Sequence, residues 1–246
     1  MIPARYGATR FPAKLMQDLC GKAVIVHTYE RVADTRLFDE VYVVTDDDRI
    51  EKAIREVGGK VIRSKKEHNS GSDRLAEASR DLDVDIIVNV QGDEPFTDKE
   101  NLQKVIDIFA KDLTKSIAVA SLMERITDPD DIANPNNVKV VVNKFGEALY
   151  FSRNIIPFPR DPNTKVSYYK HIGIYAYRKE ALQQFTELPP SLLEETEKLE
   201  QLRYLENGFK IRLALTDIPT IGLIPPKIWR GHVSDWLHKS DKNRDK

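Results

Sequence analysis

The sequence predicts an α/β fold on a largely parallel sheet, from two observations. First, Val41-Tyr42-Val43-Val44, Ile86-Ile87-Val88-Asn89-Val90 and Ile117-Ala118-Val119-Ala120 are near-continuous apolar runs. Strands buried on both faces read this way, whereas half-exposed strands alternate. Second, helical patterns lie between these runs. Residues 23–35 carry Val24, His27, Thr28 and Arg31 at helical spacing, residues 48–57 end at Gly58-Gly59, and residues 98–111 form a third pattern. Strand and helix in alternation give βαβ units, whose ligands bind beyond the carboxyl ends of the strands.

The opening Met1-Ile2-Pro3-Ala4-Arg5 reads as the end of a short strand running into a loop. From about residue 137 the pattern changes to strands separated by turns. Val138-Lys139-Val140-Val141-Val142, Ala148-Leu149-Tyr150-Phe151-Ser152 and Ile172-Gly173-Ile174-Tyr175-Ala176-Tyr177 are the strands, and Lys144-Phe145-Gly146-Glu147 is one of the turns. Residues 157–162 are proline-rich and read as an exposed loop. A helix is expected over 192–207, closed by Gly208. No repeat, linker or low-complexity segment interrupts the chain.

Bulk properties narrow the class. The 246 residues suit one large α/β domain, and 41% hydrophobic content fills its core. With 38 basic and 39 acidic side chains the formal net charge is -1, which argues against a general nucleic-acid binder. Cys20 is the one cysteine, so no internal disulfide forms and a cytoplasmic location is expected. No run of about 18 apolar residues appears, and the N-terminus lacks the pattern of a signal peptide.

Four constellations carry candidate chemistry. Arg5, Arg10 and Lys14 lie in one glycine-containing loop after the first strand; the loop is either a solvated basic loop or a polyphosphate cradle. It is not a P-loop, because no Gly-Lys-Ser/Thr follows. Gln91-Gly92-Asp93-Glu94-Pro95 follows the strongest strand; it is an acidic turn or a carboxylate placed to hold Mg²⁺ against phosphate. His68-Asn69-Ser70-Gly71-Ser72-Asp73-Arg74 opens a helix, with Ser72 or Asp73 as its cap, and is a simple cap or an anion site. Arg153, His171, Tyr175, Glu200 and Gln201 are dispersed, and each is bland alone.

Taken in order along the chain, these stretches resemble the 3-deoxy-manno-octulosonate cytidylyltransferase (CMP-Kdo synthetase) family. The resemblance rests on Ile2 to Tyr6, Thr-Arg-Phe-Pro-x-Lys at Thr9 to Lys14, Gly21-Lys22, Thr45-Asp46, Ser70-Gly71-Ser72-Asp73-Arg74 and Val88 through Pro95. It continues with Asn134-Pro135-Asn136-x-Val138-Lys139-Val140, Ala148 through Arg153, His171-x-Gly173-Ile174-Tyr175 and Leu199-Glu200-Gln201-Leu202-Arg203. Single motifs are weak; the ordered series is specific.

The resemblance implies a nucleotide-diphospho-sugar-transferase-like (Rossmann-like) three-layer sandwich with a mixed, mostly parallel sheet, working as a homodimer. It implies one domain over residues 1–222, with a dimerisation and sugar-binding subregion at about 134–185. The implied reaction transfers CMP from CTP to the sugar acid Kdo for lipopolysaccharide synthesis, with Mg²⁺ as cofactor. Ala4, Arg5, Arg10 and Lys14 would serve the CTP phosphates. Ser70, Ser72 and Arg74 would serve the cytosine end, Asp93 the metal, and Gln91 both nucleotide and sugar. Arg153, His171, Tyr175, Glu200 and Gln201 would hold the sugar acid. Rival readings are a cytidylyltransferase for 8-amino-Kdo or a sialic acid, a CTP-binding homologue with impaired turnover, and a plain structural module.

Three departures stand out. Ala8 and Ala13 replace a usual serine and glycine. Beyond Gly222 the family's Ile-Asp-Thr-Pro-Glu-Asp-Leu-Glu-Arg type of segment is missing, and Ile224 falls where a second metal-binding aspartate is usual. Deleting the first nucleotide of ATT GAT ACC CCC GAA GAT TTG GAG AGG yields Leu-Ile-Pro-Pro-Lys-Ile-Trp-Arg, the sequence of Leu223 to Arg230. Residues 223–246 are therefore expected to be a frameshifted tail, against the rival of a genuine lineage-specific or disordered one. Resequencing across the Gly222 codon should reveal the lost nucleotide; an intact frame encoding this tail removes the explanation.

Overall fold

A computed structural model of the chain describes residues 1–7, 13–68, 70–161 and 163–218. Arg10, Ile224 and the atypical tail lie outside the described residues. The elements in order are β1 (Ile2–Pro3), the small hairpin β2 (Asp18–Leu19) and β3 (Lys22–Ala23), α1 (Val24–Asp34), β4 (Tyr42–Thr45), α2 (Asp48–Glu56), β5 (Lys60–Arg63), α3 (Gly71–Ser79), β6 (Ile86–Asn89) and α4 (Lys99–Lys111). There follow β7 (Val119–Ile126), α5 (Pro129–Ala133), β8 (Lys139–Val142), β9 (Ala148–Ser152), β10 (Tyr168–Arg178), α6 (Lys179–Glu187), α7 (Leu192–Glu197), α8 (Gln201–Glu206) and β11 (Ile211–Thr216).

The first half forms the parallel part of the sheet. β1 pairs with β4 and β4 with β5, all parallel. On its other side β1 meets the end of β6, where the Val90 amide donates to the Met1 carbonyl at 3.1 Å. The long strand β10 then runs antiparallel to both β6 and β7, and β11 closes the far edge parallel to β7. The β8–β9 hairpin joins through the pairing of Lys139 with Lys170. The sheet is mixed, as the resemblance implies.

Consecutive strand residues point to opposite faces, and both faces are covered. Val43 and Val88 join Val24, Ile25, Ile50, Leu102 and Val105 from α1, α2 and α4 on one side. Val44 and Ile87 join Leu75, Leu182, Phe185 and Leu202 from α3, α6 and α8 on the other. This double burial is why the strands read as continuous apolar runs.

Four readings of the sequence need revision. The strand at 117–120 extends to Ile126, because β7 has hydrogen-bonded neighbours on both sides. α3 starts earlier than a Ser72 or Asp73 cap allows: Ser70 is the cap, its Oγ accepting the Asp73 amide at 3.1 Å. The helix expected over 192–207 is two helices, because Lys198 takes a left-handed conformation (φ 54°) that an α-helix cannot contain. Strands β5 and β11 escaped notice because charged residues interrupt them.

Asp112, after α4, ties the approach to β7 to the end of β10: it accepts the Ile117 amide at 2.7 Å and the Arg178 guanidinium at 3.0 Å. Burial by itself raises this carboxyl, but the Ile117 and Ser116 amides, Arg178 and Thr114 outweigh it and hold the group well below the usual carboxylate range. A depressed carboxyl stabilises the fold above its unfolded pKa of about 3.9, and that contribution fades as pH falls toward the folded value. Asp112→Asn should therefore cost about 3 kcal/mol at neutral pH, with a smaller deficit at pH 3 than at pH 7 in urea melts. A deficit independent of pH would falsify this assignment.

Candidate active site

A cleft of about 280 Å³ opens at the carboxyl edge of β1 and β6, where ligands of α/β sheets bind. Ala4, Arg5 and Lys14 line it from the loop after β1; Gln91, Gly92 and Asp93 from the loop after β6; Ser70, Gly71 and Arg74 from the start of α3. Lys14 Nζ and Asp93 Oδ2 are 2.6 Å apart although 79 residues separate them in sequence. The two side chains keep 24% and 38% of their surface exposed, so solvent screening leaves the pair little to give stability. Its consequence is local order: it holds Lys14 against the loop after β6.

Gly92 is closely surrounded by the protein itself. A Cβ there would lie 3.1 Å from the Pro3 carbonyl and 3.2 Å from the Leu15 and Ile25 side chains. The missing side chain lets the two loops pack closely. Ala13, where the family pattern has glycine, has φ 60°. That left-handed conformation explains the usual glycine and makes the alanine mildly strained.

Arg74 is 5% exposed. Its guanidinium donates to Asp46 Oδ2 at 3.0 Å and to Ser64 Oγ at 2.7 Å, so it shapes the wall with much of its charge already met. Glu94, beside Asp93, is pushed up to about 7 by burial and by the Asp93 charge, with Lys14 opposing. A broader basin of about 670 Å³ adjoins the cleft and shares Arg5, His68 and Arg74 with it. Ser64, Lys65, Lys66 and Arg49 line this basin. Sequence reasoning passed over them; the signal was the Lys65-Lys66 pair just after a strand, and β5 had not been read as one.

Ser72 does not line the cleft. It is buried, and its hydroxyl donates to Glu200 Oε1 across the α3–α8 interface. Burial raises the Glu200 carboxyl, against the opposing pull of the Ser72 and Ser70 hydroxyls. Glu200 and buried Gln201 sit at the start of α8, immediately after the Lys198 break. Arg153 is anchored on that same turn: its Nε donates to the Glu197 carbonyl at 2.7 Å and its Nη2 to the Lys198 carbonyl at 3.3 Å.

Tyr175 is placed by an irregularity in β10. The register against β7 shifts between Ile172 and Ala176, and Tyr175 lies opposite Asn89 of β6. Bulges of this kind re-aim side chains near active sites. The buried Ser121 hydroxyl holds the irregularity, within 3.0 Å of the Ile172 carbonyl, 2.8 Å of the Ile174 carbonyl and 2.9 Å of His171 Nε2. The His171 ring lies 5.3 Å from the Tyr175 ring and 5.1 Å from Phe151. Burial lowers His171 to about 4, so the imidazole is neutral at physiological pH. Two patches thus emerge: a basic cleft at the parallel edge, and a polar-aromatic group of Arg153, His171, Tyr175, Glu200 and Gln201 on the antiparallel side. The Ser72–Glu200 bond links them.

Comparison with known proteins places the chain in a family. A cytidylyltransferase family model matches residues 1–211. The 3-deoxy-manno-octulosonate cytidylyltransferase of Flavobacterium johnsoniae is 59% identical over 223 residues, covering 91% of each chain. That of Bacteroides thetaiotaomicron is 46% identical over 254 residues, covering 99% of this chain and 98% of its own. The solved structure of a CMP:2-keto-3-deoxy-manno-octonic acid synthetase complexed with CTP superposes with a TM-score of 0.90 at 40% identity, covering 97% of both chains. A cytidylyltransferase structure from Leptospira borgpetersenii shares the fold at a TM-score of 0.61 and 17% identity, covering 99% of this chain and 93% of its own. With its basic cleft, its acidic loop after β6 and relatives of this closeness along nearly its whole length, the chain belongs to the 3-deoxy-manno-octulosonate cytidylyltransferase family.

Proposed function

We propose that the chain transfers CMP from CTP to 3-deoxy-D-manno-octulosonate, releasing pyrophosphate and supplying CMP-Kdo for lipopolysaccharide synthesis. The observation that carries the reading is the meeting of Lys14 and Asp93 in one cleft walled by Arg5, Ser70, Arg74 and Gln91. In this reaction the anomeric hydroxyl of the sugar attacks the α-phosphorus of CTP. The new O–P bond forms as the α-phosphorus bond to the oxygen bridging to the β-phosphate breaks, the electron pair leaves with pyrophosphate, and the hydroxyl proton passes to solvent. No protein nucleophile takes part.

The residues present fit a magnesium ion. Mg²⁺ typically takes one or two carboxylates and fills its remaining positions with phosphate oxygens and water. Asp93 is partly exposed, pairs with Lys14 and lines the cleft. That carboxylate is the ligand we assign. Bound there, the ion would neutralise charge on the phosphates. Arg5 and Lys14 grip the phosphates and balance the charge that develops as pyrophosphate departs. Ser70 and Arg74 border the nucleoside end. Arg153 meets the sugar carboxylate, while neutral His171, Tyr175, Glu200 and Gln201 orient its hydroxyls. Gln91 stands between the two substrates. Positioning of the two reactants does much of the remaining work.

We further read the enzyme as a cytoplasmic homodimer. Cys20 is an exposed free thiol, which suits a reducing compartment. Phe145, Leu149 and Phe158 are exposed large apolar side chains on the β8–β9 hairpin and the loop after it, which suits a protein interface. Among the described residues no helix is long and apolar enough to cross a membrane.

Lys14→Ala should lower kcat by about a hundredfold or more, the scale of losing one preorganised electrostatic contact, measured as pyrophosphate release from CTP and Kdo. Near-normal turnover would remove the phosphate role of the loop. Asp93→Asn should raise the Mg²⁺ concentration needed for half-maximal rate, and an unchanged metal requirement would move the ion elsewhere. In a panel of sugar acids, Kdo should be turned over in preference to a nine-carbon sialic acid; the reverse order would reassign the substrate.

A further inference from the structure

Lys139 opens β8 and is wholly buried, with 0% of its surface exposed. Burying an ammonium group is costly unless its charge is met. Burial pushes this lysine below its ordinary range, with the Arg153 charge pushing the same way and Glu197 opposing. Among the described residues no carboxylate lies within ion-pair distance. The Nζ donates instead to two main-chain carbonyls, Asn134 at 2.9 Å and Arg153 at 2.7 Å.

Those two carbonyls belong to the mount of one side chain. Arg153 Nη1 donates to the Pro135 carbonyl at 3.1 Å, and the remaining guanidinium contacts are the carbonyls of Glu197 and Lys198. Lys139 therefore grips the backbone from which Arg153 projects and the residue next to Pro135, whose carbonyl is one of the three that hold its guanidinium. Glu197 uses one oxygen on Ser152 Oγ at 2.6 Å and the other on the Arg153 amide at 3.0 Å. Two cations and one carboxylate share this corner, and the Arg153 guanidinium is left without a carboxylate partner among the described residues.

We propose that Lys139 is a positioning residue for the acid-sugar subsite: it fixes the Arg153 mount through neutral carbonyls, so that the guanidinium meets the substrate carboxylate with its charge unspent. An apolar residue would fill the same volume but strand both carbonyls. A lysine paired with a buried acid would place a carboxylate where it competes with the substrate for Arg153. A lysine held by carbonyls alone avoids both outcomes. The proposal rests on reading Arg153 as the partner of the sugar carboxylate.

The test is steady-state kinetics on the full chain with K139Q, K139R, R153A and the K139Q/R153A double variant, alongside thermal melts. R153A should raise KM for Kdo about a hundredfold, as loss of a charged partner does. K139Q should raise it about tenfold while KM for CTP stays within about twofold, a split that general loosening of the fold would not produce. The double variant should be no worse than R153A alone, because both act through one guanidinium. If R153A leaves KM for Kdo unchanged, the carboxylate role of Arg153 falls and the proposal with it. If R153A has its effect and folded K139Q does not, or if the two effects add, the role of Lys139 alone falls. Should K139Q fail to fold, K139R decides: its longer planar head displaces the Arg153 carbonyl, so KM for Kdo should rise with KM for CTP unaltered. An unchanged KM for Kdo in K139R overturns the proposal.

Discussion

The site depends on β1 and β6 lying side by side. The Val90 amide bonds to the Met1 carbonyl, and the Ala4 amide to Val44 at 2.9 Å. Parallel neighbours release their chains at the same end of the sheet, so the basic loop after β1 and the acidic loop after β6 share one edge. Contact between Lys14 and Asp93 follows from that adjacency. The missing side chain at Gly92 lets the loop after β6 pack closely against Pro3 and Leu15.

The polar-aromatic half is organised differently, by interruptions of regular structure. Lys198 breaks what would have been one helix, and the break exposes the carbonyls that hold Arg153 just before Glu200 and Gln201. Ser121 stabilises the irregularity of β10 that sets Tyr175 against β6 and His171 beside it. Both interruptions are met by hydrogen bonds within the fold, as buried polar groups must be. The Ser72–Glu200 bond ties this half to the helix whose start borders the basic cleft.

Much of this was legible along the chain. The buried strands announced themselves as apolar runs because helices cover both faces of the sheet, and α1, α2 and α4 carry clear helical spacing. The loop cations and Gln91-Gly92-Asp93 stood out because they follow strands directly. Other features were not legible. Ser72 looked like a nucleotide contact because it sits in the same short motif as Ser70; only packing of α3 against α8 turns it toward Glu200. Lys65 and Lys66 hid behind a strand whose outer residues are charged. The split of the late helix had no glycine or proline to mark it, since a lysine occupies the left-handed position.

The sequence by itself determined the parallel core, the order of motifs and hence the family, because local periodicity and residue type are properties of neighbours along the chain. Only the tertiary structure decided which charges meet. Lys14 finds Asp93, Arg74 finds Asp46, Ser72 finds Glu200, and Lys139 settles on carbonyls rather than on an acid. These outcomes depend on which strands and helices become neighbours, and that is set by burial of both sheet faces at once rather than by spacing along the chain.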